Sequence, residues 1–200
     1  MSNMETTRLI IVAVGGQGNL LASKVLGEAA LISDVPVRMS EIHGMAQRGG
    51  VVESAIVFGD AKSSIISDGE ADILVGFEPS ETLRALKRCN KNTLVITNLA
   101  KLPPFTVSIG RGEYPDLDHM KELISDKTSK LICLDAMALA REAGSPMSVN
   151  IVLLGALLAS GGLAFTKESM VEAIRRRTKP AFLDMNLKAF ELGYEAAAGT

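Results

Sequence analysis

The chain has 200 residues, with 47% hydrophobic and 22% charged residues, a net charge of −2 and few aromatics, at 4% with no Trp. A chain of this length can bury roughly 70% of the surface exposed by its unfolded form, so one domain spanning residues 1–200 with an aliphatic core is expected. Basic residues are scattered apart from Arg175-Arg176-Arg177-Thr178-Lys179, which reads as a solvated helix end. The electrostatic footprint of a nucleic-acid binder is missing. No basic segment followed by an apolar stretch and a small-residue cleavage site opens the chain, and its longest apolar run, Ile151 to Leu158, is far short of the roughly 20 residues that span a bilayer. A cytoplasmic protein with no membrane partner is expected.

Arg8 to Val14 is an apolar run that ends in Gly15-Gly16-Gln17-Gly18, after which Leu20, Leu21, Val25, Leu26 and Ala29 recur at helical spacing. Strand, glycine turn and helix follow, and a second strand over Val35 to Ser40 completes a β-α-β unit in which the two strands are expected to pair in parallel. A polar loop, Glu41 to Gly50, leads to a strand at Val51 to Phe58. Ser63 to Ile66 suits a short edge strand and Ala71 to Phe77 a buried one. Pro79 starts a helix over Ser80 to Arg88. Thr93 to Thr97 is the next strand, and Pro103-Pro104 interrupts regular structure up to about Pro115. A strand at Lys130 to Leu134, a helix at Ala136 to Glu142 and a break at Gly144-Ser145-Pro146 come next. From Val149 the pattern is helical, over Ile151 to Ala159, Lys167 to Arg176 and Pro180 to Ala198. The fold class is α/β: a three-layer, open, mostly parallel sheet with a helical C-terminal third.

A glycine turn between strand and helix points backbone N–H groups at a positive helix end, where anions bind. Gly15, Gly16, Gln17 and Gly18 are therefore candidate cofactor-binding residues, although Ala13 stands where the dinucleotide fingerprint has its first glycine, and a tight turn with no ligand would have the same sequence. Glu41, about 23 residues after Gly18, lies near where a nucleotide-binding domain of the Rossmann type holds its ribose-binding acid. Arg48-Gly49-Gly50 joins a planar guanidinium to two residues with accessible backbone and suits bidentate recognition of a carboxylate or phosphate; the alternative is a surface arginine beside a turn. His43 and Arg48 are the candidate catalytic residues, His43 because its imidazole titrates near neutral pH, although a lone loop histidine is more often a structural donor. Glu78, Asp135 and Asn150 are read as helix-end residues. Cys89 and Cys133 stand 44 positions apart with no Cys-x-x-Cys pair, so they are read as buried reduced thiols and no metal site is expected on this chain. Neither a nucleophile elbow nor a nucleoside-triphosphate phosphate loop is present.

The segments Val14-Gly15-Gly16-Gln17-Gly18 and Ser40-Glu41-Ile42-His43-Gly44-Met45-Ala46-Gln47-Arg48-Gly49-Gly50 resemble the two signature stretches of the indolepyruvate ferredoxin oxidoreductase beta subunit. The similarity continues through Ala71 to Pro79, Asn150 to Ala156 and Asn186 to Gly193. That subunit is equivalent to the gamma subunit of pyruvate and 2-oxoglutarate ferredoxin oxidoreductases. The resemblance implies a hetero-oligomer in which a larger catalytic subunit carries thiamine diphosphate, Mg and iron–sulfur (4Fe-4S) clusters. It also implies coenzyme A as a substrate and ferredoxin as a partner through the complex, which would oxidatively decarboxylate a 2-oxoacid to an acyl-coenzyme A. Arg48 and the Gly15 to Gly18 turn would supply anion-binding groups for coenzyme A or the substrate carboxylate. A free-standing nucleotide-binding Rossmann-like oxidoreductase and a non-catalytic scaffold subunit are the competing readings.

Overall fold

The computed structural model describes residues 5–43, 50–103, 107, 110 and 113–199, with the side chain of His43 outside the description. Strand β1 (Thr7–Val14) leads through the glycine turn to helix α1 (Asn19–Ile32), then β2 (Val37–His43), β3 (Val51–Phe58) and β4 (Ala71–Gly76). Helix α2 (Pro79–Ala85), β5 (Cys89–Asn98), α3 (Leu117–Lys127), β6 (Lys130–Leu134) and α4 (Ala136–Ala143) follow. The C-terminal third is helical: α5 (Val149–Ala159), α6 (Lys167–Arg177) and α7 (Leu183–Ala197). The strand order is β2-β3-β1-β4-β5-β6, with β3 antiparallel to both neighbours and β1, β4, β5 and β6 paired in parallel.

This order corrects one expectation. β1 and β2 run in the same direction but do not pair, because β3 lies between them, with Val51 opposite Val14 on one side and Val52 opposite His43 on the other. Burial explains the choice. Ala55 to Phe58 are buried and need cover on both faces, whereas β2 is exposed or half-buried from Val37 to Ile42 and suits the edge. Glu53, the charged residue of β3, ion-pairs with Arg88 at 3.2 Å.

Alternate residues of the central strands face two separate cores. Leu9, Ile11, Ile56, Phe58, Ile73 and Val75 pack with α1 and α5, while Ile10, Val12, Val57, Leu74 and Val95 pack with Ala85 of α2 and Ile124 of α3. Three layers result. The expected strand at Ser63 to Ile66 does not form: Ser63 Oγ accepts from the Ile65 N–H, and Arg88 Nη1 takes the Ile66 carbonyl at 2.9 Å, so the segment's polar groups are satisfied outside any ladder. Helix α3 was not expected. Only Met120 and Ile124 of it are buried, and its start depends on the Asp116 carboxylate accepting from the N–H groups of Asp118 and His119. The basic run is an exposed helix end whose Arg176 and Arg177 reach Glu28 of α1, at 3.2 and 2.6 Å. Those hydrogen bonds, led by Arg177, hold the Glu28 carboxyl below the usual carboxylate range.

Helix α5 is buried from Val149 to Leu158, as its almost uninterrupted apolar sequence requires, and is covered by α7 at very short range. A Cβ on Gly155 would lie 2.1 Å from the Phe190 carbonyl oxygen, and one on Gly193 would lie 1.9 Å from that of Val152. Backbone cannot yield as a flexible side chain does. Gly155→Ala and Gly193→Ala should therefore each cost about 3 kcal/mol, at the upper end of ordinary overpacking, read as a lower urea midpoint by circular dichroism; stability equal to the parent would show that α5 and α7 are not in this contact.

Candidate functional site at the carboxyl edge of the sheet

The parallel strands end on one side of the sheet, where open α/β folds place their ligands. At the end of β1 the glycine turn is built around Gln17. Its Oε1 accepts from the Val14 N–H at 2.8 Å, and its Nε2 donates to the Phe77 carbonyl, past the end of β4, at 3.2 Å. The N–H groups of Gly15 and Gln17 are committed, to Gly50 O at 2.8 Å and Val14 O at 3.1 Å. Gly18, the residue preceding α1, has φ 82° and offers no side-chain cap; its carbonyl accepts from the N–H groups of Leu21 and Ala22, both at 3.1 Å, and no side chain caps those of Asn19 and Leu20. The Gly18 carbonyl accepts from Asn150 Nδ2 at 3.2 Å. Asn150 thus braces the turn from α5 through Nδ2, while its Oδ1 accepts from the Ile151 N–H in the first turn of its own helix at 2.9 Å, so it serves the helix end as expected and the turn as well.

Next along the edge, Glu78 is fully buried and caps α2: Oε2 accepts from the N–H groups of Ser80 (2.8 Å) and Glu81 (3.1 Å) and from the Ser80 hydroxyl. Its Oε1 accepts from the Leu102 N–H at 3.3 Å and from the Tyr114 hydroxyl. Burial, and then the bond to Glu78, push the Tyr114 hydroxyl above the usual phenol range. At the end of β5, Asn98 Nδ2 donates to the Phe77 carbonyl at 3.1 Å, while its Oδ1 accepts from the N–H groups of Ala100 and Ala136, both at 3.1 Å. Asp135 caps α4 through the Ala138 N–H. The helix-end reading of Glu78 and Asp135 is correct.

These fixed elements enclose a cleft of about 230 Å³, with Gly16, Gln17, Asn98 and Lys101 on one side and Met137, Met147 and Val149 on the other. A second cleft of about 340 Å³ shares Met147 and runs between Leu21, Phe182 and Met185, with Arg177 and Lys179 at its basic end. Met147 is 81% exposed and Phe182 50%, so the two clefts are joined by an apolar ridge.

The two sequence segments singled out above converge here, since Gly50 O receives the Gly15 N–H and the backbone of His43 ends β2 on the same edge. Arg48 and Gly49, together with the His43 side chain, lie outside the described residues. Glu41 is half-buried opposite Ser54 of β3. With β3 interposed, Glu41 is two strand spacings, roughly 10 Å, from β1, where a Rossmann ribose acid would be one strand away. Asn98, Lys101 and Met147 were not among the expected site residues; Asn98 directly after an apolar strand was the available signal. Asn19 and Ser54 are buried with side-chain polar atoms that have no partner among the described residues.

The fold is one shared with solved oxoacid oxidoreductase gamma subunits. The solved keto/oxoacid ferredoxin oxidoreductase gamma subunit from Geobacter sulfurreducens superposes with a TM-score of 0.71 at 24% identity, covering 97% of this chain and 99% of that one. The model of the pyruvate ferredoxin/flavodoxin oxidoreductase family matches residues 8–196, and the chain belongs to that family. Among its relatives, indolepyruvate oxidoreductase subunit IorB of Thermococcus kodakarensis is 42% identical over 196 residues, 97% of either chain. The fold also recurs in a 2-oxoglutarate:ferredoxin oxidoreductase from Magnetococcus marinus, solved with 2-oxoglutarate, coenzyme A and succinyl-CoA bound. There the match has a TM-score of 0.74 at 16% identity and spans 98% of this chain but 32% of the longer one.

At Gly18 a substitution meets two obstacles: the left-handed backbone, and Asn150 Nδ2 only 2.7 Å from a new Cβ. Gly18→Ala should cost about 1–2 kcal/mol from the backbone alone, plus the clash. In an Asn150→Ala background the clash is removed, so a double-mutant cycle should show a coupling of about 1 kcal/mol; additive effects in urea denaturation would mean that Asn150 does not brace the turn.

Proposed function

We propose that this chain is the small subunit of a 2-oxoacid:ferredoxin oxidoreductase of the indolepyruvate type, inactive alone and joined to a larger catalytic subunit. The observation that carries this reading is a likeness to the Thermococcus subunit that runs through the whole chain and includes both edge segments. The complex would convert an aryl or other 2-oxoacid and coenzyme A to acyl-coenzyme A and carbon dioxide, passing the electron pair to ferredoxin.

The iron–sulfur clusters and the thiamine diphosphate–magnesium group do not fit the donors found among the described residues. Cys133 pairs with Thr97, opposite Gly76, and Cys89 pairs with Ala71. The two thiols are thus roughly 17 Å apart along the sheet. Burial pushes the Cys89 thiol up to about 11 and raises that of Cys133, which favours protonated thiols over ligand thiolates. Among the described residues no three His, Cys, Asp or Glu side chains form a metal-ligating group. On the proposed reading these cofactors belong to the larger subunit. For this chain the reading leaves three tasks: to close the apolar ridge over the partner's active site, to exclude water there, and to hold an anion on the glycine turn with Arg48.

The free-standing nucleotide-binding alternative loses its main support once β3 separates Glu41 from β1. Also, among the described residues no helix is long and apolar enough to cross a membrane.

Co-expression with the larger subunit should yield a complex that reduces ferredoxin only when an aryl 2-oxoacid and coenzyme A are both supplied, whereas neither subunit does so alone. A larger subunit that retains the full rate without this chain would make it a scaffold. Within the complex, Arg48→Lys keeps the charge but loses the planar fork, so it should raise the KM for coenzyme A or for the 2-oxoacid by roughly tenfold or more without impairing assembly. If Arg48→Lys and Arg48→Ala both leave every kinetic constant unchanged, Arg48 belongs to the subunit interface.

A further inference from the structure

The cleft at the carboxyl edge contains one charge that neither signature segment supplies. Lys101 is exposed, and it is the only cation among the described residues that line this cleft. The polar side chains beside it are spent: both ends of the Gln17 amide and both ends of the Asn98 amide are committed to backbone groups. The remaining wall, with Leu102, Met137, Met147 and Val149, is apolar. A cavity with apolar walls and one cation fits a ligand with an apolar body and an anionic end.

Lys101 is also held in place. The next residue, Leu102, gives its N–H to Glu78 Oε1, which also accepts from the Tyr114 hydroxyl, and the Tyr114 ring lies 5.2 Å from Lys101 Nζ. A fully buried carboxylate therefore fastens the backbone beside the lysine, and an aromatic face steadies its ammonium. Together they hold the cation at a cleft that Gly16 and Gln17 of the glycine turn also line.

We propose that Lys101 is the anion-recognising residue of this cleft and that Glu78 and Tyr114 position it; the ligand's charged end is a carboxylate or phosphate, and its apolar part lies against Met137, Met147 and Val149. The identity of the ligand rests on the oxidoreductase reading, because the two anions of that reaction are the 2-oxoacid carboxylate and the phosphates of coenzyme A.

Two measurements on the assembled complex decide it. First, labelling of Lys101 by an amine-reactive reagent, read by mass spectrometry, should be slowed severalfold by either phenylpyruvate or coenzyme A, and the protecting compound identifies the anion. This readout needs no turnover, so it stands even if the complex proves inactive with 2-oxoacids, a result that would refute the oxidoreductase reading alone. Second, Lys101→Ala should raise the KM for the protecting compound about tenfold with kcat little changed, and Lys101→Arg should restore most of the loss. Tyr114→Phe keeps the ring but frees Glu78, and should raise the same KM by a smaller factor. A Lys101 that is already unreactive in the ligand-free complex, or equally reactive with and without both compounds, overturns the proposal, as do kinetic constants unchanged in Lys101→Ala.

Discussion

The carbonyl oxygen of Phe77, just past the end of β4, accepts from both the Gln17 amide and the Asn98 amide, while the Phe77 N–H donates to Val12 of β1. One residue thereby ties together the ends of β1, β4 and β5. The glycine turn, the start of α2 and the loop bearing Lys101 all leave the sheet from these fixed points. Asn98 is buried and Gln17 half-buried, and the oxygen and nitrogen of each amide are both engaged, which makes this edge stiff enough to present a cleft.

The second element of stiffness is on the opposite side of the turn. Helix α5 is apolar all round and can exist only between the sheet and a further layer, which α7 provides through the close backbone contact at Gly155 and Gly193. Because α5 is held so tightly, Asn150 near its start can brace the Gly18 carbonyl from a distant part of the chain. The glycine turn is thus gripped from β4 by way of Gln17 and from α5 by way of Asn150. Its backbone geometry is set before any ligand or partner arrives, which lowers the ordering cost of binding.

Much of this was legible from residue pattern alone. β6 and the helical C-terminal third came from runs whose burial is decided locally by continuous apolar sequence, and Glu78 and Asp135 followed from the chemistry of helix ends. Strand neighbours did not, because β1 and β2 satisfy the pattern of a β-α-β unit whether or not β3 inserts between them. That insertion is decided by which strand buries both faces, a long-range property. Helix α3, with only Met120 and Ile124 buried, has too thin an apolar stripe to stand out. At the site, the glycine turn announced itself through its glycines. The roles of Asn98, Lys101 and Asn150 depend on contacts made across 13 to 132 positions of sequence, which spacing does not encode.

The central claim is that the carboxyl edge of the sheet is the working face of this chain in its complex. Hydrogen–deuterium exchange of the chain alone and joined to the larger subunit tests it most directly. Assembly should protect the backbone amides of Gly16 to Leu20, Ala100 to Leu102 and Met147 to Ser148, while the segments at the opposite edge, Gly59 to Asp60 and, near the start of β5, Lys91 to Asn92, exchange as before. Protection confined to those opposite segments, with the carboxyl edge unaltered, would contradict it.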